Sequence, residues 1–179
     1  DGFSPSSLGL YIRNPIDFYN YKVLGLTPPN DLEETIEANT FGSVVHYTLE
    51  AFYKPFVGQV LEGSKLEKLK AKIPKTVEHF FQKLFKKGDI TQGKNLISFE
   101  IAKRYIHNFL DTEIQFLKDG NHIQLLAVEA SVAYDFDHSE FDFPIKLKGN
   151  IDRVDICNGV QRIIDYKTSS KEASDINQI

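Results

Sequence analysis

The sequence predicts an α+β domain in which helices flank a mixed β-sheet, with a helical first half and a β-rich end. Helical apolar spacing persists as far as Lys118. From Gln124 the pattern changes to strands, Leu125–Phe136, Ile145–Cys157 and Val160–Lys167. Asn158-Gly159, between the last two strands, is the strongest short signal for a two-residue hairpin turn.

In chain order, Ser4-Pro5 reads as a cap followed by proline at the first helical position, and Asn14-Pro15 stops or kinks that helix. An aromatic-rich stretch with Phe18, Tyr19 and Tyr21 ends near Gly25. Residues 27–40, with Pro28-Pro29 and the acids Asp31, Glu33, Glu34 and Glu37, form a loop. Val45, Leu49, Phe52 and Phe56 mark the buried stripe of a helix beginning near Phe41. The lysine-rich stretch divides into two helices at Pro74. Residues 96–118 form a long helix with Ile101, Tyr105, Phe109 and Leu117 inward, closed by Gly120 at the C-cap.

With 179 residues and 41% hydrophobic content, one domain spanning 1–179 is expected, mainly helical over 1–123 and β-rich over 124–179. No Met occurs, so Asp1 is expected to begin a piece excised from a larger protein. No apolar run approaches a membrane span, no signal peptide opens the chain, and the lone Cys157 suits a reducing, cytoplasmic setting. A net charge of −4 argues against a general nucleic-acid coat. That average conceals a local balance of +6 over residues 65–87, where eight lysines meet two glutamates. Such a face, including Lys68, Lys72, Lys75, Lys83, Lys86 and Lys87, can track a phosphate backbone, although a solvated helix surface is the commoner meaning.

The chemistry concentrates in the hairpin. Counting back from the turn, Cys157 faces Val160 and Asp152 lies opposite Asp165, with Lys167 on the same face as Asp165 and Asn150 across from it. Directly opposed β-carbons lie about 4.5–5.5 Å apart, and like charges there are destabilising. A divalent cation between Asp152 and Asp165 would relieve the repulsion. On that face Val154 meets Ile163; the other face, with Asp155 opposite Arg162, reads as ordinary structure. Glu129, flanked by apolar residues, either faces outward from a half-exposed strand or points into a site. His46 sits at the edge of the buried stripe, where a histidine is more often packed than ligating. The remaining histidines, His79, His107, His122 and His138, have no evident partner.

Gly42-x-x-x-His46, Gly149-x-x-Asp152-Arg153-x-Asp155 and Asp165-x-Lys167-Thr168 resemble, in order, the motifs of the PD-(D/E)XK nucleases, and the nearest likeness is to the RecB-like branch. Ser4-x-Ser6-x-Leu8-x-x-Tyr11 and Pro15-x-x-Phe18-x-x-Tyr21 are similar to the opening of AddB-type helicase–nuclease domains. The resemblance implies a restriction-endonuclease-like core and a DNA nuclease, exonuclease-type, acting in repair or recombination beside a helicase subunit or helicase-like region. It implies Mg²⁺ or Mn²⁺ held by His46, Asp152, Asp165 and the Tyr166 backbone carbonyl, with Asp152, Asp165 and Lys167 catalytic, Glu129 supporting and the basic stretch contacting DNA. Two departures stand out. Asn14 replaces the cysteine that helps bind an iron–sulfur cluster in AddB-type domains, so no cluster is expected. The chain also stops twelve residues past Lys167, and Gln178 cannot be assigned to the family's Gln-x-x-x-Tyr motif, so an incomplete core is expected. A catalytically silent relative that binds DNA or a partner, and a hairpin holding a structural cation, are the competing readings.

Overall fold

A computed structural model describes residues 2–27, 35–85 and 89–168. Pro28-Pro29, Asp31, Glu33, Glu34, Lys86, Lys87 and Gln178 lie outside the described residues.

The chain divides into two compact units, one of residues 1–32 and 130–151 and one of residues 33–129 and 152–179. The first opens on helix α1, Pro5–Arg13. Ser4 caps it in a reciprocal box with Ser7, and Pro5 occupies the first helical position, where a missing N–H costs nothing. Asn14 ends α1 and begins α2, Pro15–Phe18, its side-chain oxygen accepting from the N–H groups of Ile16 and Asp17. A single π-helical stretch, Tyr19–Val23, follows. Strand residues 145–151 belong to this unit, and Phe3 pairs with Leu147 as a parallel bridge, exchanging backbone hydrogen bonds of 2.8 Å with Lys146 and Lys148. A Cβ at Gly2 would lie 2.8 Å from the Lys146 carbonyl oxygen, so the approach requires glycine there.

In the second unit, α3 (Ala38–Tyr53), α4 (Gly63–Lys70), α5 (Ile73–Leu84) and α6 (Gly93–Lys118) pack together. Helix α3 begins three residues before Phe41 and buries Val45, Leu49 and Phe52 as expected. Pro74 sits in the first turn of α5, which buries Ile73, Val77 and Phe81 at four-residue spacing. On α6 the expected inward face is corrected: Ile101 and Tyr105 are exposed, whereas Ala102, Ile106, Leu110 and Ile114 are buried. Both stripes repeat every four residues and lie about 100° apart, so periodicity alone cannot choose between them. Tyr105 instead sets its ring edge-on to Phe41 at 5.8 Å. Gly120, at φ +88, closes α6 in the left-handed conformation.

The sheet order is β1 (Ile123–Phe136), β2 (Ile145–Cys157), β3 (Val160–Ile164). β2 and β3 run antiparallel from Cys157↔Val160 to Arg153↔Ile164, the register read from the turn. Asn158 at φ 51 and Gly159 at φ +86 give the positive pair a type I′ turn demands. The Asn158 side chain also accepts from the His122 N–H at 2.9 Å, anchoring the turn to the start of β1.

Two expectations about the hairpin are corrected. β3 stops at Ile164, three residues short of Lys167, because side chains take the main-chain groups a ladder would use. The Tyr166 N–H donates to Asp152 Oδ2 at 2.6 Å, and the Tyr166 carbonyl lies 2.8 Å from His46 Nε2. The faces also differ from the sequence reading: Ile163 is 67% exposed, while Arg153 and Asp155, on the supposedly ordinary face, are fully buried.

Candidate metal centre

Three side chains from three elements of the second unit converge. His46 comes from α3, Glu129 from β1 and Asp152 from β2, and one ligand atom of each lies within 4.8 Å of the others. His46 Nδ1 is 3.5 Å from Asp152 Oδ2. The Tyr166 main chain ties the two together, its N–H on Asp152 and its carbonyl accepting from His46 Nε2. That contact orients the ring so that Nδ1 faces the Asp152 carboxylate.

Local backbone form explains the convergence. Glu129 stands at φ 47 in mid-strand, the left-handed region that a non-glycine residue enters at a cost of about 1–2 kcal/mol. An alternating strand would not need that kink, and it re-aims a side chain toward the cluster as bulges do. Gly42, one turn before His46, has Thr168 Oγ1 3.2 Å from where a Cβ would be, so its bare backbone lets the 165–168 segment lie close to α3.

Electrostatics mark the same place. Burial pushes the Glu129 carboxyl above its ordinary pKa, the Asp152 and Glu50 carboxylates push it further, and His46 pulls back. Glu50 escaped the sequence reading, although it follows His46 by four residues and so shares its helix face. Two carboxylates and an imidazole suit a hard or borderline divalent cation, and a cation there would offset the repulsion that raises Glu129.

Asp165 and Lys167 are not part of this cluster. They follow β3, are well exposed, and pair with each other at 2.6 Å between Lys167 Nζ and Asp165 Oδ2. The acid beside Asp152 is Glu129, contributed by β1. The hairpin count could not find it, because neither the β1 register nor the kink is written in local spacing. Lys68, Lys72, Lys75 and Lys83 are exposed on α4, α5 and the turn between them, without an ion pair to a described acid, whereas Lys65 and Lys70 pair with Glu62 and Glu67. Of the histidines without an evident partner, His107 lies 2.9 Å from Asp111 on α6.

The family model of the PD-(D/E)XK nuclease superfamily matches residues 2–179. The chain belongs to that superfamily. Its members are generally nucleases that use divalent metals, and the His46–Glu129–Asp152 cluster is a candidate site for one in this member. No curated protein gives a significant match to the chain. Among the described residues no helix is long and apolar enough to cross a membrane.

Proposed function

We propose that this PD-(D/E)XK member hydrolyses phosphodiester bonds in DNA, with Mg²⁺ or Mn²⁺ held by Asp152, Glu129 and His46. The observation that carries the proposal is that three residues far apart in sequence meet within 4.8 Å, one of them on a strained backbone. A cation bound there lowers the pKa of water and polarises the phosphate. Asp152 supplies a carboxylate oxygen to the cation, and its Oδ2 accepts from the Tyr166 N–H and keeps that peptide in place. Glu129 supplies a second negative charge, and His46 a nitrogen that suits Mn²⁺. The Tyr166 carbonyl accepts from His46 Nε2, on the side of the ring away from Nδ1, so it orients the imidazole here and would become a further oxygen ligand only if the 165–168 segment moved.

Lys167 is proposed to steady charge developing on the phosphate, and Asp165 to hold Lys167 until substrate arrives, with a ligand role for Asp165 if the 165–168 segment moves on cation binding. Lys68, Lys72, Lys75 and Lys83 form the proposed DNA face, to which Lys86 and Lys87 belong by sequence. The order of motifs supports a RecB-like, exonuclease-type activity in cytoplasmic DNA repair or recombination, within one nuclease domain of a helicase–nuclease-like protein. The Lys167–Asp165 pair, held apart from the cluster, is the observation that favours a silent DNA-binding relative instead.

Calorimetric titration with Mn²⁺ tests the site. The wild-type chain should bind, Asp152→Asn should abolish binding, and His46→Ala should weaken it less severely. Unchanged affinity in Asp152→Asn would remove that residue from the ligand set.

A further inference from the structure

Behind the candidate centre lies a group of charges that neither a cation nor a substrate would touch. Arg153 is fully buried, with Nη1 2.7 Å from Glu113 Oε1 and Nη2 2.8 Å from Asp155 Oδ2. Its Nε also donates to Asp155 at 2.9 Å. The guanidinium lies 4.9 Å over the Tyr53 ring, and the Tyr53 hydroxyl donates to the second oxygen of Glu113. Asp155 is held from its other side by Arg162, 2.9 Å from Nε to Oδ1. Two cations thus balance two anions.

A buried ion cluster is an expensive way to hold a fold, since apolar residues of similar volume often serve as well or better. Its neighbours suggest another use. The Tyr166 hydroxyl is sealed from solvent beside the Arg153 guanidinium, which points a donor toward it without reaching the geometry of a complete hydrogen bond. Packing links the cluster to the same residue, because Tyr53, under the Arg153 guanidinium, meets Phe109 edge-on at 6.1 Å. The Tyr166 ring is further held edge-on by Phe109 at 5.4 Å and by His46 at 5.8 Å. The peptide atoms of this same residue bridge Asp152 and His46. Arg153 also directly follows Asp152 on β2, and successive side chains take opposite faces, so fixing one in the core fixes the other toward the site.

We propose that the buried Arg153–Glu113–Asp155 cluster is a positioning device that clamps the Tyr166 side chain, and through its backbone sets the orientation of His46 and Asp152. This rests on the cation-site reading above only for its consequence in metal affinity. The clamp itself is a property of the metal-free chain. Arg153, Glu113 and Asp155 reach no reacting atom; they act through Tyr166.

The test uses the full chain and reads the metal-free protein first. Arg153→Met combined with Glu113→Gln removes one charge of each sign, so the remaining Asp155–Arg162 pair stays balanced and the fold is expected to survive. Amide hydrogen exchange at Tyr166 should accelerate at least roughly 10-fold relative to the Cys157–Val160 end of the hairpin, on the view that its N–H is held by an oriented Asp152. The ¹⁵N signature of His46 protonated at Nε2 should give way to a mixture of tautomers. Mn²⁺ affinity should fall by about 10–100-fold, the scale of losing a residue that orients a ligand. A folded double variant with wild-type exchange at Tyr166 and an unchanged His46 tautomer would overturn the proposal. Should that variant not fold, Tyr166→Phe, which deletes only the hydroxyl beside Arg153, decides on the same two readouts: faster exchange and mixed tautomers support the clamp, and no change in either overturns it. A wild-type chain that shows both metal-free signatures but binds no Mn²⁺ would support the clamp while overturning the cation reading alone.

Discussion

Glu129→Gln should make the metal-free protein more stable and the cation site weaker, opposite signs from one change. The Glu129 and Asp152 ligand atoms lie within 4.8 Å. Two unit charges at that separation repel by about 3.5 kcal/mol at an effective dielectric of 20. Partial exposure and the offsetting His46 imidazole reduce this to about 1 kcal/mol, which is about 2–4 °C in melting temperature for a chain of this size. The folded-state pKa of Glu129 is raised, by burial first and then by the Asp152 and Glu50 charges. The folded protein therefore binds this proton more tightly than the unfolded chain, and ionisation of Glu129 subtracts stability. The advantage of Glu129→Gln should vanish below the ordinary carboxylate pKa, open as pH rises, and be complete above the raised value. Thermal melts in EDTA from pH 4 to 8 measure the first effect, and Mn²⁺ calorimetry at pH 7 the second, where affinity should fall at least roughly 10-fold for loss of a charged ligand. A variant that melts lower than wild type at pH 7 without metal, or that binds Mn²⁺ equally well, would refute the reasoning.

Gly159→Ala should cost about 1–2 kcal/mol by forcing a Cβ into the left-handed turn at φ +86, and should appear as a lowered melting temperature. Replacing Lys68, Lys72, Lys75 and Lys83 together with Gln should lower the slope of log affinity for duplex DNA against log salt by up to roughly 3–4, read by fluorescence anisotropy at several salt concentrations. Lys167→Ala should leave the melting temperature and Mn²⁺ affinity near wild type while cleavage falls by roughly 10²–10³, measured on end-labelled DNA.

What the sequence made legible were features whose cause is local. Ser4, Pro5, Asn14, Pro74 and Gly120 act within one turn of where they stand, and each begins, interrupts or ends a helix as expected. The hairpin register followed from Asn158-Gly159, because two positive φ values leave one way to pair the strands. The features that escaped depend on partners distant in the chain. Glu129 reaches Asp152 only through a kink in β1, and Tyr166 leaves the ladder because Asp152 and His46 take its amide and carbonyl. Arg153 and Asp155 look like surface residues in a strand pattern; their burial depends on Glu113, forty residues earlier on α6, which no alternation rule anticipates. Apolar Ile163 stays exposed on the face where the sequence placed it beside the acids.

The central claim is that Asp152 belongs to a cation site that cuts DNA. Its most direct test is time-resolved cleavage of labelled single- and double-stranded DNA by wild type and Asp152→Asn, in Mn²⁺, in Mg²⁺ and in EDTA. The variant keeps a side-chain oxygen to accept from the Tyr166 N–H, so a change in cleavage can be separated from a change in fold by its melting curve. Wild type should cut only when metal is present, and a folded Asp152→Asn protein should not cut at all. Cleavage that persists in that variant, or a wild-type chain that binds DNA and Mn²⁺ without cutting, would contradict it.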